Sequence, residues 1–367
     1  MAFTAKDVQA LREKTGVGMM DCKKALVEAD GDMDKAVELL REKGLASAAK
    51  KATRVAAEGI VAAYTDGKSG ALVELNCETD FVAKGEPFVT LANKVVKTVV
   101  AEKPADVDAL LKTKVTGEEG TVEEAVQEVF LALRENMKVR RFALVEGKVS
   151  TYIHAGGTVG VMVQFDTDDA TAENADFIAM GKNVAMQVAA MKPEYLDDTD
   201  ITADELAKMK NITVESALNK PDSLPKPILN SIIAKAVDGK LWSDEDIAAY
   251  NEQKNNKFLF NFLSKEAVAT LASIAVANKE EYIANPIFGK LVEGRISKQL
   301  KESCLLKQDF VRSDLFEGNV GGYVAKVAKD LGADIKVVGY TRFEKGEGIE
   351  KKQEDFAAEI ASMVGGK

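Results

Sequence analysis

The sequence has one histidine in 367 residues, one tryptophan, three cysteines, seven prolines and no long apolar run. Each scarcity excludes a class of function. A single histidine, His154, cannot assemble a zinc-hydrolase site, which gathers several nitrogen, sulfur or carboxylate ligands around one ion, and no H-E-x-x-H pair supports it. Cys22, Cys77 and Cys304 are odd in number, far apart and without a C-x-x-C pair, so neither a disulfide scaffold nor a metal knuckle is expected and a reducing compartment fits. The longest apolar runs, such as Leu271–Val276 broken by Ser273, fall far short of the ~20 residues a membrane span needs. The opening residues Met1-Ala2-Phe3-Thr4-Ala5-Lys6-Asp7 show no apolar or Arg/Ser-rich leader, so the cytoplasm is the expected compartment.

Phosphate loops and nucleophile elbows are missing too. There is no G-x-x-x-x-G-K-[ST], G-x-G-x-x-G or G-x-S-x-G, and Gly156-Gly157-Thr158-Val159-Gly160 lacks the lysine that would reach phosphate, which leaves a turn. Asp166-Thr167-Asp168-Asp169 has the start of a calcium loop, but Thr171 stands where that loop needs glycine, so these acids are expected to cap a helix. A net charge of −10 argues against binding nucleic acid, whose affinity comes from counterions displaced by Lys and Arg clusters. Residues 1–54 differ in sign, with 11 Lys/Arg against 9 Asp/Glu, and can meet an acidic patch on a partner. No catalytic centre, metal or cofactor is expected. The 46% apolar and 29% charged composition is that of a globular protein with a real core.

The periodicity predicts an α+β fold in several parts. Thr4–Lys14 reads as a helix ended by Thr15-Gly16-Val17-Gly18; a second helix aligns Met19, Cys22, Leu26 and Ala29, and a third aligns Met33, Val37 and Leu40. This miniature three-helix domain, with Ala46–Ala57 as a linker helix, fills 1–54 and is too small to stand without a neighbour or partner. From residue 58 the period falls to two: Gly59–Tyr64 and Ala71–Cys77 form a hairpin about Asp66-Gly67, with Ala71, Val73, Leu75 and Cys77 on one face. A helix bearing Phe88, Leu91, Val95 and Val99 follows. The same order recurs 88 to 90 residues later: Glu146-Gly147 and Tyr152 answer Glu58-Gly59 and Tyr64, Val161–Phe165 answers the second strand, and Phe177, Met180, Val184 and Val188 answer the helix.

These signals give duplicated α+β core subdomains, one at 55–140 with 121–138 helical, the other at 141–193 plus 305–345. A large all-helical insertion at 194–304 separates the parts of the second. Within it Thr202–Lys210 opens with a Thr202/Glu205 capping box, and Ile228–Val237, Asp244–Gln253, Phe258–Ala277 and Pro286–Glu302 are further helices. Val320–Leu331 reads as a helix and Ile335–Phe343 as a strand, which must pair across the insertion with the second hairpin, because a lone strand is unstable. A C-terminal helical module at 346–367 carries Phe356, Ile360 and Met363 on one side.

Glu78-Thr79-Asp80-Phe81-Val82-Ala83-Lys84 directly follows a strand and sets an acid beside a large ring. Two readings stand. Phe81 tucks beneath the following helix while Asp80 caps it, or Phe81 is a stiff wedge for a partner's pocket while the carboxylate competes for hydrogen bonds there.

Three stretches in order resemble the bacterial elongation factor Ts family: Leu11-Arg12-Glu13-Lys14-Thr15-Gly16-Val17-Gly18-Met19-Met20-Asp21-Cys22-Lys23-Lys24-Ala25-Leu26, then Thr79-Asp80-Phe81-Val82-Ala83, then Arg342-Phe343-Glu344-Lys345-Gly346-Glu347-Gly348-Ile349-Glu350-Lys351. The resemblance is expected to cover about 1–193 and 286–367, with 194–304 enlarged relative to the family's shorter helical hairpin. It implies guanine nucleotide exchange on elongation factor Tu, in its GDP-bound and nucleotide-free states. Asp80 and Phe81 would enter near the magnesium and phosphate end of that GTPase, supported by Thr79, Val82 and Ala83. Leu11, Arg12, Gly16, Val17, Met19 and Met20 of a ubiquitin-associated-like (UBA-like) domain would meet its nucleotide domain, His154, Gly156 and Gly157 its far domains, and Phe356 would dock as well. Self-association through 194–304 stays open. Two other classes compete: a binding adaptor that captures partners without affecting nucleotide, and an enzyme with its site near Trp242 and Asp244, for which the insertion shows no acid, base or metal spacing.

Overall fold

The computed structural model describes residues 3–350, apart from the side chain of Ala49. Phe356 and the expected C-terminal helix lie outside the described residues. The chain divides into two compact units, one holding the residues up to Lys192, Phe310–Gly318 and those from Gly322 on, the other Pro193–Asp309 and Asn319–Gly321.

The first unit begins with three helices, α1 (Ala5–Thr15), α2 (Met19–Glu28) and α3 (Met33–Lys51). Thr4 and Asp7 form a capping box on α1, and Gly16, at φ 65°, supplies the left-handed stop that a side chain would strain. α3 absorbs the first half of the expected linker helix and ends at Lys51; 52–57 are not helical. Val8, Leu11, Val17, Cys22, Leu26 and Leu40 close over one another, and Leu131 from a later helix completes their core. The neighbour that so small a bundle needs is therefore in the same chain.

The strands β1 (Glu58–Thr65) and β2 (Ser69–Cys77) are followed by the single turn α4 (Asp80–Ala83), then α5 (Glu86–Glu102), α6 (Val107–Lys112) and α7 (Val122–Leu133). β3 (Lys138–Glu146) then pairs antiparallel with β2, giving the order β1-β2-β3. The expected division after residue 140 cuts through β3. Pairing from Ser69–Glu146 to Asn76–Lys138 puts the whole strand in the first sheet, and 134–137 are a link rather than helix.

The second sheet repeats the plan with β4 (Lys148–His154), β5 (Val159–Asp166), the turn α8 (Asp169–Ala172) and α9 (Ala175–Met191). Its third strand arrives after the other unit's helices: α10 (Ala203–Leu218), α11 (Lys226–Asp238), α12 (Asp244–Gln253), α13 (Lys265–Ala277), α14 (Lys279–Ile283) and α15 (Pro286–Ser303), then α16 (Val320–Leu331) and β6 (Lys336–Glu344). β6 pairs antiparallel with β5, as the isolated strand signal requires. Both middle strands slip register once, at Glu74/Leu75 and at Gln164/Phe165.

Ala71, Val73, Leu75 and Cys77 face the core formed with α5, while Leu72 packs from the other side of β2 with Val61, Met162 and Phe343 of the two sheets. β2 is buried on both faces. One of those buried residues is Glu74, whose carboxylate is 0% exposed. Arg140 Nη1 donates to it at 2.9 Å, Arg141 Nε at 2.6 Å and the Gly346 amide at 2.7 Å. Burial alone would raise its pKa, yet the amide and the two guanidinium groups hold it below the ordinary carboxylate value.

In the other unit Val214, Leu218, Ile228, Ile232, Trp242, Leu271, Tyr282 and Phe288 share one core. Trp242 is buried and donates from Nε1 to the Ala267 carbonyl at 3.1 Å; Phe260 is partly buried, whereas Phe258 and Phe262 are exposed. The helix expected over Phe258–Ala277 begins only at Lys265. Ser264 caps it, and Asp246 accepts from the Ser264 amide at 2.8 Å and hydroxyl at 2.9 Å, which holds 258–264 in a turn. Among the described residues, no helix is long and apolar enough to cross a membrane.

Candidate functional site

Cys77 ends β2 with its thiol inside the core. Burial, helped by the Glu135 charge, pushes that thiol up to about 12, so it stays protonated and inert. Three residues later the chain turns outward. Thr79, in extended conformation, accepts the Val82 amide at 3.3 Å and so caps α4. Thr79, not Asp80, is the cap. Val82 and Ala83 are buried against the β1-β2 core, and their anchoring leaves Phe81 on the outer side of a single helical turn.

Phe81 is 85% exposed. That exposure overturns the reading that tucks the ring beneath the next helix; Phe88 and Leu91 are the α5 residues in the core there. Asp80 is exposed as well and pairs with Lys84 at 2.6 Å, one helical turn on. That ammonium holds the Asp80 carboxyl below its usual range and is itself raised in return. An exposed pair of this kind contributes little to stability, so Asp80 can exchange Lys84 for another donor at small cost. The i, i+4 spacing of Asp80 and Lys84 is visible in the sequence.

The turn is held from behind. Glu135 accepts the Thr79 amide at 2.9 Å and the Thr79 hydroxyl at 2.6 Å; Glu78 accepts the Asn136 amide at 2.7 Å and pairs with Arg54 at 3.3 Å. These partners lie 24 to 58 positions away along the chain, beyond the reach of a local pattern.

The other expected contact residues divide by exposure. Met19 (46% exposed) and Met20 (64%) lie in the first turn of α2, and Arg12 and Gly16 are exposed beside them in sequence. Leu11 and Val17 are fully buried in the bundle core. This corrects their expected role: they shape the surface and cannot themselves touch a partner. His154 is exposed at the end of β4, its Nδ1 3.1 Å from the Tyr152 hydroxyl. Gly156 is exposed at φ 65°, but Gly157 is buried at φ 100°, where a Cβ would sit 2.7 Å from Cβ of Ile60 on β1. Gly157 seats the loop; His154 and Gly156 present it. Among the described residues, no group of three or more His, Cys, Asp or Glu could hold a metal ion. Asp168 of the supposed calcium loop accepts the Thr171 amide at 2.9 Å and hydroxyl at 2.6 Å, capping α8 as Thr79 caps α4.

The chain matches the family described as Elongation factor TS over residues 78–347. It is 41% identical over 368 residues to a protein of Clostridium tetani named Elongation factor Ts, with 99% of each chain covered. It is 40% identical over the same length to one of Clostridium perfringens, again with 99% of each covered, and 39% identical to one of Clostridium botulinum, covering 99% of this chain and 98% of the relative. Similarity therefore does not stop at Pro193 and resume at Pro286. The intervening helices align with the rest, and 194–304 is no addition peculiar to this chain.

Proposed function

The chain belongs to the elongation factor Ts family, and from that premise we propose that Asp80 and Phe81 are the group that opens the nucleotide site of its partner. The chain is a guanine nucleotide exchange factor for elongation factor Tu and has no catalytic centre of its own. The observation that carries the finer reading is the exposure of Phe81 at the apex of a turn whose base is pinned at Thr79 and Glu78. A preorganised ring loses little freedom on binding.

GTPases hold nucleotide largely through magnesium and phosphate contacts. A phenylalanine inserted beside that end, with a carboxylate ready to leave Lys84, displaces structure there without touching the base. Linkage makes the effect mutual: the free energy by which the factor weakens nucleotide is the free energy by which nucleotide expels the factor. Roughly 4 kcal/mol of such coupling corresponds to about a thousandfold change in affinity. The same reasoning assigns binding to both the GDP-bound and the nucleotide-free partner, in the cytoplasm. Arg12, Gly16, Met19 and Met20 of a UBA-like bundle supply docking area on the nucleotide domain, and His154 with Gly156 touches a farther one. The two sheets with their flanking helices are the duplicated subdomains, 194–304 is the segment through which copies would self-associate, and 346–367 with Phe356 is a further docking module.

The test is GDP release from elongation factor Tu in stopped flow, with and without the chain, at millimolar magnesium and after chelation. Action at the magnesium side predicts that the fold-acceleration shrinks once magnesium has been removed. An acceleration of the same size under both conditions contradicts it, and binding with no acceleration returns the adaptor reading.

A further inference from the structure

The link 134–136 is neither helix nor strand, yet its three residues bond in two directions. Toward the three-helix bundle, Arg134 Nη2 meets Asp21 Oδ2 at 3.0 Å, Lys51 donates to the Arg134 carbonyl, and Asn136 Nδ2 donates to the Arg54 carbonyl at 2.8 Å. Toward the exposed turn, Glu135 takes both donors of Thr79, and the Asn136 amide goes to Glu78. Arg134 sits at φ 58°, a left-handed conformation in which it ends α7 with its amide on Phe130 O at 2.7 Å. A non-glycine residue in that region needs surrounding contacts to hold it.

The bonds bring two expected docking elements within one residue of each other's supports. Asp21 follows Met20 in the chain, and Thr79 precedes Asp80. The path Met20–Asp21, Arg134–Glu135, Thr79–Asp80 uses only covalent neighbours and the bonds just given. α7, which carries the link, is also clamped to the bundle: a Cβ on Gly44 would overlap the Leu131 side chain, and one on Gly16 would lie 3.2 Å from Ala132 Cβ.

We infer that Arg134, Glu135 and Asn136 couple the bundle to the Asp80–Phe81 turn, so that binding energy gained at Met19 and Met20 orients the ring for insertion. Arg134 is a positioning residue and has no need to touch the partner. The physical basis is that remote contacts accelerate a step only when they hold the acting group in its productive geometry, and a misplacement of about 1 Å can cost on the order of a hundredfold. Without the Arg134–Asp21 bond the bundle still binds and Glu135 and Asn136 still hold the turn, but the two no longer share a fixed geometry.

This inference rests on the reading of Phe81 as the wedge, and the experiment separates the two. Stopped-flow GDP release is measured against concentration of the full chain, giving a maximal rate and a half-saturating concentration. Arg134→Asn removes the guanidinium while keeping a residue that tolerates positive φ. Coupling predicts about a tenfold lower maximal rate with half-saturation changed less than twofold, and recovery of the rate in the swapped pair Asp21→Arg/Arg134→Asp. In a Phe81→Ala background the same Arg134→Asn change should have no further effect. Weaker half-saturation at an undiminished maximal rate would make Arg134 a mere docking support and overturn the inference while leaving the wedge intact. If Phe81→Ala itself leaves release unaltered, the wedge reading is what fails. Circular dichroism on each variant excludes unfolding as the cause.

Discussion

The Glu74 carboxylate accepts the Gly346 amide at 2.7 Å, joining the middle strand of one sheet to the segment that follows the last strand of the other. Arg140 and Arg141 converge on the same carboxylate, and the Arg141 guanidinium carbon lies 4.2 Å from the centroid of the Phe343 ring. Arg141 also pairs with Glu347 at 3.0 Å, and Lys345 pairs with Glu58. The motif Arg342–Gly348 is therefore clamped to the first sheet by charge that is mostly out of solvent.

Removing the charge from Glu74 should unfold this unit more easily. Glu74→Gln keeps the shape but leaves two guanidinium groups with a weaker acceptor, and breaking such a buried arrangement costs about 3 kcal/mol. The sign with pH follows from its depressed pKa. The contribution is complete above the ordinary carboxylate value of 4.5 and is lost as pH falls through the folded value, because the unfolded chain takes up the proton first. Urea denaturation followed by circular dichroism should show the gap between wild type and variant full at pH 7 and narrowing below about pH 4.5. A gap that widens in acid would contradict the assignment.

Leu11 and Met20 lie nine residues apart in the N-terminal bundle and should behave oppositely. Leu11→Ala empties a fully buried position and should cost about 2–5 kcal/mol of stability, destroying the bundle surface indirectly. Met20→Ala should leave the melting temperature within about a degree, because surface changes away from special contacts are within ±0.5 kcal/mol, yet weaken partner binding in calorimetry. Equal loss of stability in both variants would remove Met20 as a contact residue.

Gly157 tests how the His154 loop is seated. Alanine there meets Ile60 at 2.7 Å and must hold φ near 100°, so Gly157→Ala should destabilise the fold by about 1–3 kcal/mol. Gly156→Ala has open space and bears only the strain of positive φ, so its cost should be smaller. Thermal melts of the two variants settle the order, and a Gly156 variant that melts lower would reverse it.

What could be read from the sequence followed from how local each cause is. Thr202 caps α10 with Glu205 and Thr4 caps α1 with Asp7, bonds that close within three residues, and those helices begin within a residue of where they were expected. The hairpin and the return of β6 were legible because alternation within a strand is local and an unpaired strand demands a partner. β3 was hidden because Lys138, Arg140 and Arg141 interrupt its apolar pattern, and the charges make sense only once Glu74, 66 and 67 residues away, is seen between them. Phe81 had two readings for the same reason. Whether a ring is covered depends on packing the chain cannot show and on Glu135 holding Thr79 from 56 residues away. The residues of the candidate site could be named from the chain; their exposure could not.

The most direct test is the rate of labelled GDP release from elongation factor Tu at saturating Phe81→Ala factor. A buried aromatic anchor is typically worth about 2 kcal/mol or more. Val82, Ala83 and Thr79 keep the turn folded without the ring, so the variant should retain its circular dichroism and release GDP at least tenfold more slowly than the wild-type factor. Release at the wild-type rate by a folded Phe81→Ala chain would contradict the account.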